Sequence, residues 1–154
     1  MNAAPPPQSV TVRAAGEGDL EAIHAIENAS FGDPWSLDSF RDLIDHPRAR
    51  MEVAVGAEGE VLGYAIAWYV ADESEIANIA VAPAARRRGV GAQLLDRILK
   101  AAADFGAQSV FLEVRESNEE ARTLYGARGF EIAGRRIKYY RKPDEDALIM
   151  RRKL

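Results

Sequence analysis

Residues 76–100 read IANIAVAPAARRRGVGAQLLDRILK, which predicts a strand, a turn and a helix in immediate succession. The apolar run from Ile76 to Ala82 is rich in β-branched residues. Pro83 ends it and has no N–H for a ladder, so the run reads as a buried strand. Val90, Leu94, Leu95, Ile98 and Leu99 then recur at helical spacing up to Phe105, where Gly106 is placed to cap the helix C-terminus. Arg86, Arg87 and Arg88 lie between the two elements, followed by Gly89 and Gly91. A helix entered in this way presents N–H groups with no internal partner, its dipole favours negative charge, and glycines let an anion approach the backbone. The alternative is a solvated basic turn before an ordinary helix.

Two kinds of anion are tested by reading onward. A Walker loop needs lysine and a hydroxyl after its last glycine, whereas Gly91 is followed by Ala92 and Gln93. A dinucleotide fingerprint starting at Gly89 would need a third glycine where Leu94 stands. The spacing that fits is (Q/R)xxGxG, Arg86 to Gly91, directly after a strand ending Ala80-Val81-Ala82-Pro83. This resembles the pyrophosphate loop of the GCN5-related N-acetyltransferases (GNAT), which bind acetyl-coenzyme A.

Composition bounds the rest. The chain has 154 residues, 47% hydrophobic, enough for one domain with a real core. A net charge of −4 argues against gripping nucleic acid over a whole face, so a local anion is the better reading of the arginine cluster. The chain has no cysteine, which excludes disulfides, thiolate metal sites and a cysteine nucleophile. His24 and His46 lie apart without ligand-like spacing, so no metal site is expected. Residues 1–9 carry Pro5-Pro6-Pro7 and read as an extended tail ahead of a domain over residues 10–154. With no signal-peptide pattern and no membrane-length apolar run, a soluble cytoplasmic protein is expected.

From Val10 the pattern predicts a strand to Ala14, then a helix through Leu20, Ile23 and Ile26 with Asp19 as candidate N-cap. The loop SFGDPWS, Ser30 to Ser36, breaks helical periodicity, and Ser36 can cap a second helix over Leu37, Phe40, Leu43 and Ile44. Trp35 in that loop either lines a substrate site or staples the loop to the core. Met51–Val55 and Val61–Val70 read as a hairpin, and a turn over Ala71–Ser74 delivers the chain into the central strand. Further strands are expected at Ser109–Arg115, Phe130–Ala133 and Ala147–Arg151, with a short helix from Asn118 to Tyr125.

Glu113 interrupts an apolar strand built of Val110, Phe111, Leu112 and Val114. A carboxylate there is solvated, paired with Arg115 or another arginine, or kept for chemistry, since desolvation would suit it to general-base work. Either Ser117, which forms an S-x-x-E box with Glu120, or Asn118 can cap the following helix. Tyr125, near the end of that helix, reads as a packing residue or as an acid reaching a neighbouring site.

Seven blocks then occur in a family's order: PWS at Pro34–Ser36, NIAV at Asn78–Val81, RRRGVG at Arg86–Gly91, LEVRESN at Leu112–Asn118, LYGARGF at Leu124–Phe130, YY at Tyr139-Tyr140 and EDALIM at Glu145–Met150. Together they resemble the RimI family, bacterial alanine N-acetyltransferases that modify a small-subunit ribosomal protein. The departures are an arginine opening the loop and the approach Arg135-Arg136-Ile137-Lys138 to the tyrosine pair. The resemblance implies a single-domain α/β GNAT fold, a mixed central sheet flanked by helices. It further implies that backbone groups of Ile79 and Val81 align pantetheine, that Arg86, Arg87, Arg88, Gly89, Val90 and Gly91 hold the pyrophosphate, and that Asn118 meets the pantetheine arm. Glu113 is then the base, acting through water, and Tyr125 the acid for the leaving thiolate. Trp35, Tyr139 and Tyr140 face the incoming peptide. The implied activity is acetylation of the N-terminal Ala, Ser or other small residue of a ribosomal protein, by direct transfer in a ternary complex without a metal. Acetylation of a small-molecule amine or a lysine side chain, and a non-catalytic acyl-CoA-binding module, are the alternatives.

Overall fold

The computed structural model describes residues 9–141 and 143–154; the tail expected over residues 1–9, apart from Ser9, and Lys142 lie outside them. In chain order the elements are β1 (Thr11–Ala14), α1 (Leu20–Ser30), α2 (Leu37–Ile44), β2 (Ala49–Val55), β3 (Val61–Val70), β4 (Glu73–Val81), α3 (Val90–Phe105), β5 (Ser109–Arg115), α4 (Glu119–Gly126), β6 (Glu131–Tyr140) and β7 (Glu145–Lys153). The strands form one seven-stranded mixed sheet in the order β1-β2-β3-β4-β5-β7-β6. Its neighbours are antiparallel except β4 and β5, which are parallel because α3 carries the chain back across the sheet between them.

Apolar side chains on both faces of β3 explain why it lies inside the sheet. On one face α3 buries Val90, Leu94, Leu95 and Ile98 against Leu62, Ala65 and Ala67. On the other, α1 and α2 bury Leu20, Ile23, Ile26, Phe40 and Leu43 against Met51, Val53, Tyr64 and Ile66. Each large aliphatic or aromatic side chain buried in this way contributes about 1.5–3 kcal/mol. Gly63 is required by the packing: a Cβ there would come within 2.8 Å of the Ala80 carbonyl oxygen and 3.1 Å of Leu94.

The caps show which local signals the backbone uses. Ser36 Oγ accepts the Ser39 N–H at 3.2 Å, and Gly106 ends α3 in the left-handed region at φ 99°. The cap of α4 is Asn118, whose Oδ1 accepts the Ala121 N–H at 3.1 Å, so the Ser117 alternative is not used. Asp19 departs from expectation: it stands at the N-cap position of α1 without capping it, because its carboxylate turns back to the Gly16 N–H (2.8 Å) and to Arg13 (2.7 Å). The Arg13 guanidinium holds the Asp19 pKa below the usual carboxylate range.

Four strands are longer than their sequence patterns suggest, β2 by two residues at its start, Ala49 and Arg50. β4 starts at Glu73, inside the expected turn, which tightens to Ala71 and Asp72. β6 and β7 extend well beyond Phe130–Ala133 and Ala147–Arg151. Their added length comes from pairing with each other and with β5, a tertiary contribution that overrides the polar composition of residues 134–140.

Candidate active site

The site begins with a defect in the sheet. Ile66 pairs with Asn78 and Ala67 with Ile76, so Ala77 is an extra residue in β4, a bulge that bends the strand. Pairing between β4 and β5 accordingly stops at Ile76 and Leu112, and the two strands diverge beyond it. The Ala82 N–H is donated to the Leu62 carbonyl at 2.8 Å. Strand alternation then directs the polar backbone of Ala80 toward β3 and that of Ile79 and Val81 into the gap. The gap opens on a cavity of about 740 Å³, lined by the α1–α2 loop, β4, β5, α4 and the β6–β7 turn. That volume suits a small-molecule or cofactor site. A smaller hollow of about 310 Å³ lies toward the C-terminal half of α3, among Arg50, Arg97 and Lys100.

The expected anion loop runs from β4 to the N-terminus of α3. The first bond within α3 is from Gln93 N–H to the Gly89 carbonyl, 3.1 Å, so the N–H groups of the preceding positions face out of the helix end. Gly89 caps the helix at φ 76° and Arg87 is also left-handed at φ 65°, a turn that fans backbone N–H groups outward. A Cβ on Gly89 would meet no atom within 4 Å, so glycine is required there for its conformation and the space beside it is open to a ligand. Arg86 is partly committed: its Nε donates to the Val81 carbonyl at 3.2 Å. The loop and helix end fit a pyrophosphate, through backbone donors beside exposed arginine side chains.

Across the gap, Glu113 on β5 pairs with Arg136 of β6, Nε to Oε1 2.8 Å, with its side chain only 12% exposed. The partner is therefore another arginine rather than Arg115, whose guanidinium binds Glu145 and the carbonyls of Arg141 and Pro143. Tyr125 lines the same cavity from α4, and burial pushes its phenol pKa up to about 12. It is therefore a protonated phenol at neutral pH. Asn118 also lines the cavity, although its Oδ1 is occupied as the α4 cap.

Tyr139 and Tyr140 lie at the end of β6, in a stretch broken by a wide bulge rather than in a loop after the strand. Arg136 pairs with Ala147 and Tyr140 with Glu145, so Ile137, Lys138 and Tyr139 stand opposite Asp146 alone. Lys138 takes φ 51° and donates its N–H to Asp146 at 2.8 Å, which fixes the bulge. Tyr139 is 49% exposed and packs edge-on against Tyr140, with ring centroids 5.1 Å apart. Burial first, and then the charge of Glu113, hold the Tyr140 phenol pKa above its ordinary value. The Arg115 guanidinium stands 4.5 Å over the Tyr140 ring.

Trp35 both packs on the core and lines the cavity. Its ring packs on Phe40 at 5.6 Å, tying the loop to the core, while the residue also lines the cavity. Its backbone N–H donates to Glu27 at 3.3 Å. Glu27, 1% exposed on α1, also accepts the Asn78 amide (2.9 and 3.1 Å) and the Tyr64 hydroxyl. One buried carboxylate thus joins the α1–α2 loop to the bulged strand. Sequence reading passed over it, although Ile23, Ile26 and Glu27 share one helical face, and a carboxylate there was a usable signal.

Burial holds the Glu27 pKa above the usual carboxylate range, partly offset by its hydrogen-bond donors. The folded protein therefore binds this proton more tightly than the unfolded chain does. That contribution to stability is present below the ordinary carboxylate pKa and is lost as pH rises through the raised value. The stability difference between wild type and Glu27→Gln, from urea unfolding, should accordingly shrink as pH rises from about 4 to 7. A constant difference contradicts the assignment. Glu27→Ala, which leaves the Tyr64 and Asn78 donors without an acceptor, should destabilise at any pH by about 3 kcal/mol.

His24 and His46 stand apart, against Phe40 and Trp68 respectively. Among the described residues no group of His, Cys, Asp or Glu could hold a metal ion, and no helix is long and apolar enough to cross a membrane.

Comparisons with known proteins agree with this geometry. Residues 20–130 match the model of the acetyltransferase (GNAT) family. An Escherichia coli (strain K12) protein named [ribosomal protein bS18]-alanine N-acetyltransferase is 34% identical over 142 residues, 91% of this chain and 95% of that protein. A Bacillus subtilis (strain 168) protein, provisionally given the same name, is 37% identical over 133 residues, 86% of this chain and 87% of its own length. Among solved structures, the ribosomal-protein-S18-alanine N-acetyltransferase from Escherichia coli superposes with a TM-score of 0.87 at 33% identity, covering 94% of each chain.

Proposed function

The chain belongs to the acetyltransferase (GNAT) family, and from that premise we propose that it acetylates the α-amine of an N-terminal alanine, or another small first residue, on a ribosomal protein in the cytoplasm. The observation that carries this reading is the cavity lined by both Glu113 and Tyr125 at the strand gap, with the N-terminus of α3 packed beside α4 and β4, where a Cβ on Gly91 would stand 3.6 Å from Leu124 and 3.7 Å from Val81. The substrate class is supported by the relatives named for the alanine of bS18. Tyr139, standing half exposed at the cavity, supplies a wall for a peptide.

Acetyl-CoA supplies an activated acetyl thioester; a C–N bond forms as the C–S bond breaks, and CoA leaves as the thiol. The loop from Arg86 to Gly91 would hold the pyrophosphate, and the gap-facing backbone of Ile79 and Val81 would align the pantetheine arm, with Asn118 beside it. Glu113, one oxygen fixed by Arg136, takes a proton from the incoming ammonium through water, so that the amine carries its lone pair. An α-amine with an ordinary pKa of about 8 needs to lose only this one proton before attack. Tyr125 gives its phenolic proton to the departing sulfur, a role suited to a phenol kept neutral by burial, and the second proton, which the nitrogen loses once the C–N bond has formed, restores the phenol through solvent. With no cysteine in the chain, the acetyl group passes directly between the bound substrates.

The test is acetylation of matched peptides beginning with Ala, Ser or Leu by wild type, Tyr139→Ala and Tyr140→Ala. Wild type should prefer Ala and Ser, and the tyrosine variants should lose that preference by about tenfold as the wall is removed. An identical ranking in all three proteins contradicts the peptide-wall assignment.

A further inference from the structure

Three carboxylates of β4 and β5 share the sheet face below the cavity, and two of them are paired with arginine. Glu73 pairs with Arg151 at 3.0 Å and Glu113 with Arg136 at 2.8 Å. Glu75, between them, makes no salt bridge among the described residues, and it lines the cavity. Its place is fixed by the sheet. Glu75 is level with Phe111 across the parallel β4–β5 pair and with Trp68 across β3, and Glu113 lies two residues beyond Phe111. Paired residues share a face, and so do residues two apart in a strand, so Glu75 and Glu113 point to the same side of the sheet. Burial, followed by the charge of Glu113 and against the opposing pull of Arg136, holds the Glu75 pKa above the usual carboxylate range. A half-buried carboxylate beside a second one, without its own cation, costs free energy that an arriving cation would recover.

Resting on the α-amine reading, we propose that Glu75 is the residue that receives the substrate's α-ammonium and so selects a free N-terminus. The division of labour is geometric. Arg136 occupies one oxygen of Glu113 and leaves that carboxylate oriented for proton removal, while Glu75, with no ion pair of its own among the described residues, supplies the charge that draws the ammonium into the cavity. Trp68 and Tyr139, which also line the cavity, bound the same region with aromatic surface. Glu75 is a specificity residue here; its action is on acceptor binding rather than on the CoA half of the site.

The experiment is calorimetric binding to the CoA-saturated protein of an Ala-initiated peptide and its des-amino analogue, propionyl in place of alanyl. Wild type should bind the free-amine peptide at least about tenfold more tightly, the scale of one charge-assisted hydrogen bond in a partly desolvated site. In Glu75→Gln that preference should fall to about twofold with CoA affinity unchanged, and Glu75→Asp should restore part of it. If the Gln variant folds poorly, Glu75→Thr, which also removes the charge from the strand, serves in its place. A wild-type preference that survives intact in the charge-free variant overturns the assignment of Glu75 while leaving the α-amine reading standing. A wild type that binds both peptides equally overturns the α-amine reading and this assignment with it.

Discussion

Glu113→Gln should lower kcat on an Ala-initiated peptide by roughly 10²–10⁴-fold, the range typical of general acid–base catalysis, with CoA affinity close to wild type. The substitution keeps the shape of the side chain and removes the proton acceptor. Glu113 stands on β5, whereas the anion loop runs from β4 to α3, so the substitution should leave the loop that would hold CoA unchanged. Tyr125→Phe should cost a similar factor, since it deletes the buried phenol that protonates the leaving sulfur. The two variants separate in pH dependence: without the base the amine must lose its proton to solvent, so Glu113→Gln should recover part of its rate as pH rises past the ordinary α-amine pKa of about 8, while Tyr125→Phe should gain no such recovery. Rates near wild type in both proteins contradict the proton-transfer roles.

The second large effect belongs to the anion loop. Gly89 caps α3 at φ 76°, a conformation that is a genuine outlier for a β-branched residue. Gly89→Val should therefore distort the helix entrance and weaken CoA binding by about 10–100-fold, corresponding to the 1–3 kcal/mol typical of such backbone strain. The valine side chain would also project into the open space beside the turn. Arg87→Ala, which removes one exposed charge and leaves the backbone donors in place, should cost less. Calorimetric titration of CoA ranks the two, and equal or reversed losses in folded proteins would mean that side-chain charge, rather than the backbone, holds the anion.

How much of this was legible beforehand follows from the range of each interaction. The β4–α3 stretch was readable because its signals are local: an apolar run stopped by Pro83, helical spacing from Val90 and a glycine at each end of the helix. Ser36 and Gly106 cap where they were expected to for the same reason. Family blocks pointed to Glu113 and Tyr125, which the fold brings to one cavity. What stayed hidden depends on residues distant in sequence. The bulge at Ala77 is defined only by its register against β3, and the Glu27 bracket spans α1, β3 and β4. Arg136 was legible only as a departure from the family pattern; its pairing with Glu113 requires β7 to lie between β5 and β6. Glu75 looks like one more charge before an apolar run until the parallel register sets it beside Glu113.

Acetyl transfer to a peptide N-terminus is the step on which the substrate assignment turns. The most direct measurement is positional mapping, by tandem mass spectrometry, of the acetyl group on a peptide that begins with alanine and carries an internal lysine, after brief incubation with the protein and acetyl-CoA. A single acetyl group is expected on the alanine nitrogen, with no product from the same peptide when its N-terminus is blocked. Acetylation at the lysine, or an efficient reaction of the blocked peptide, would contradict that assignment.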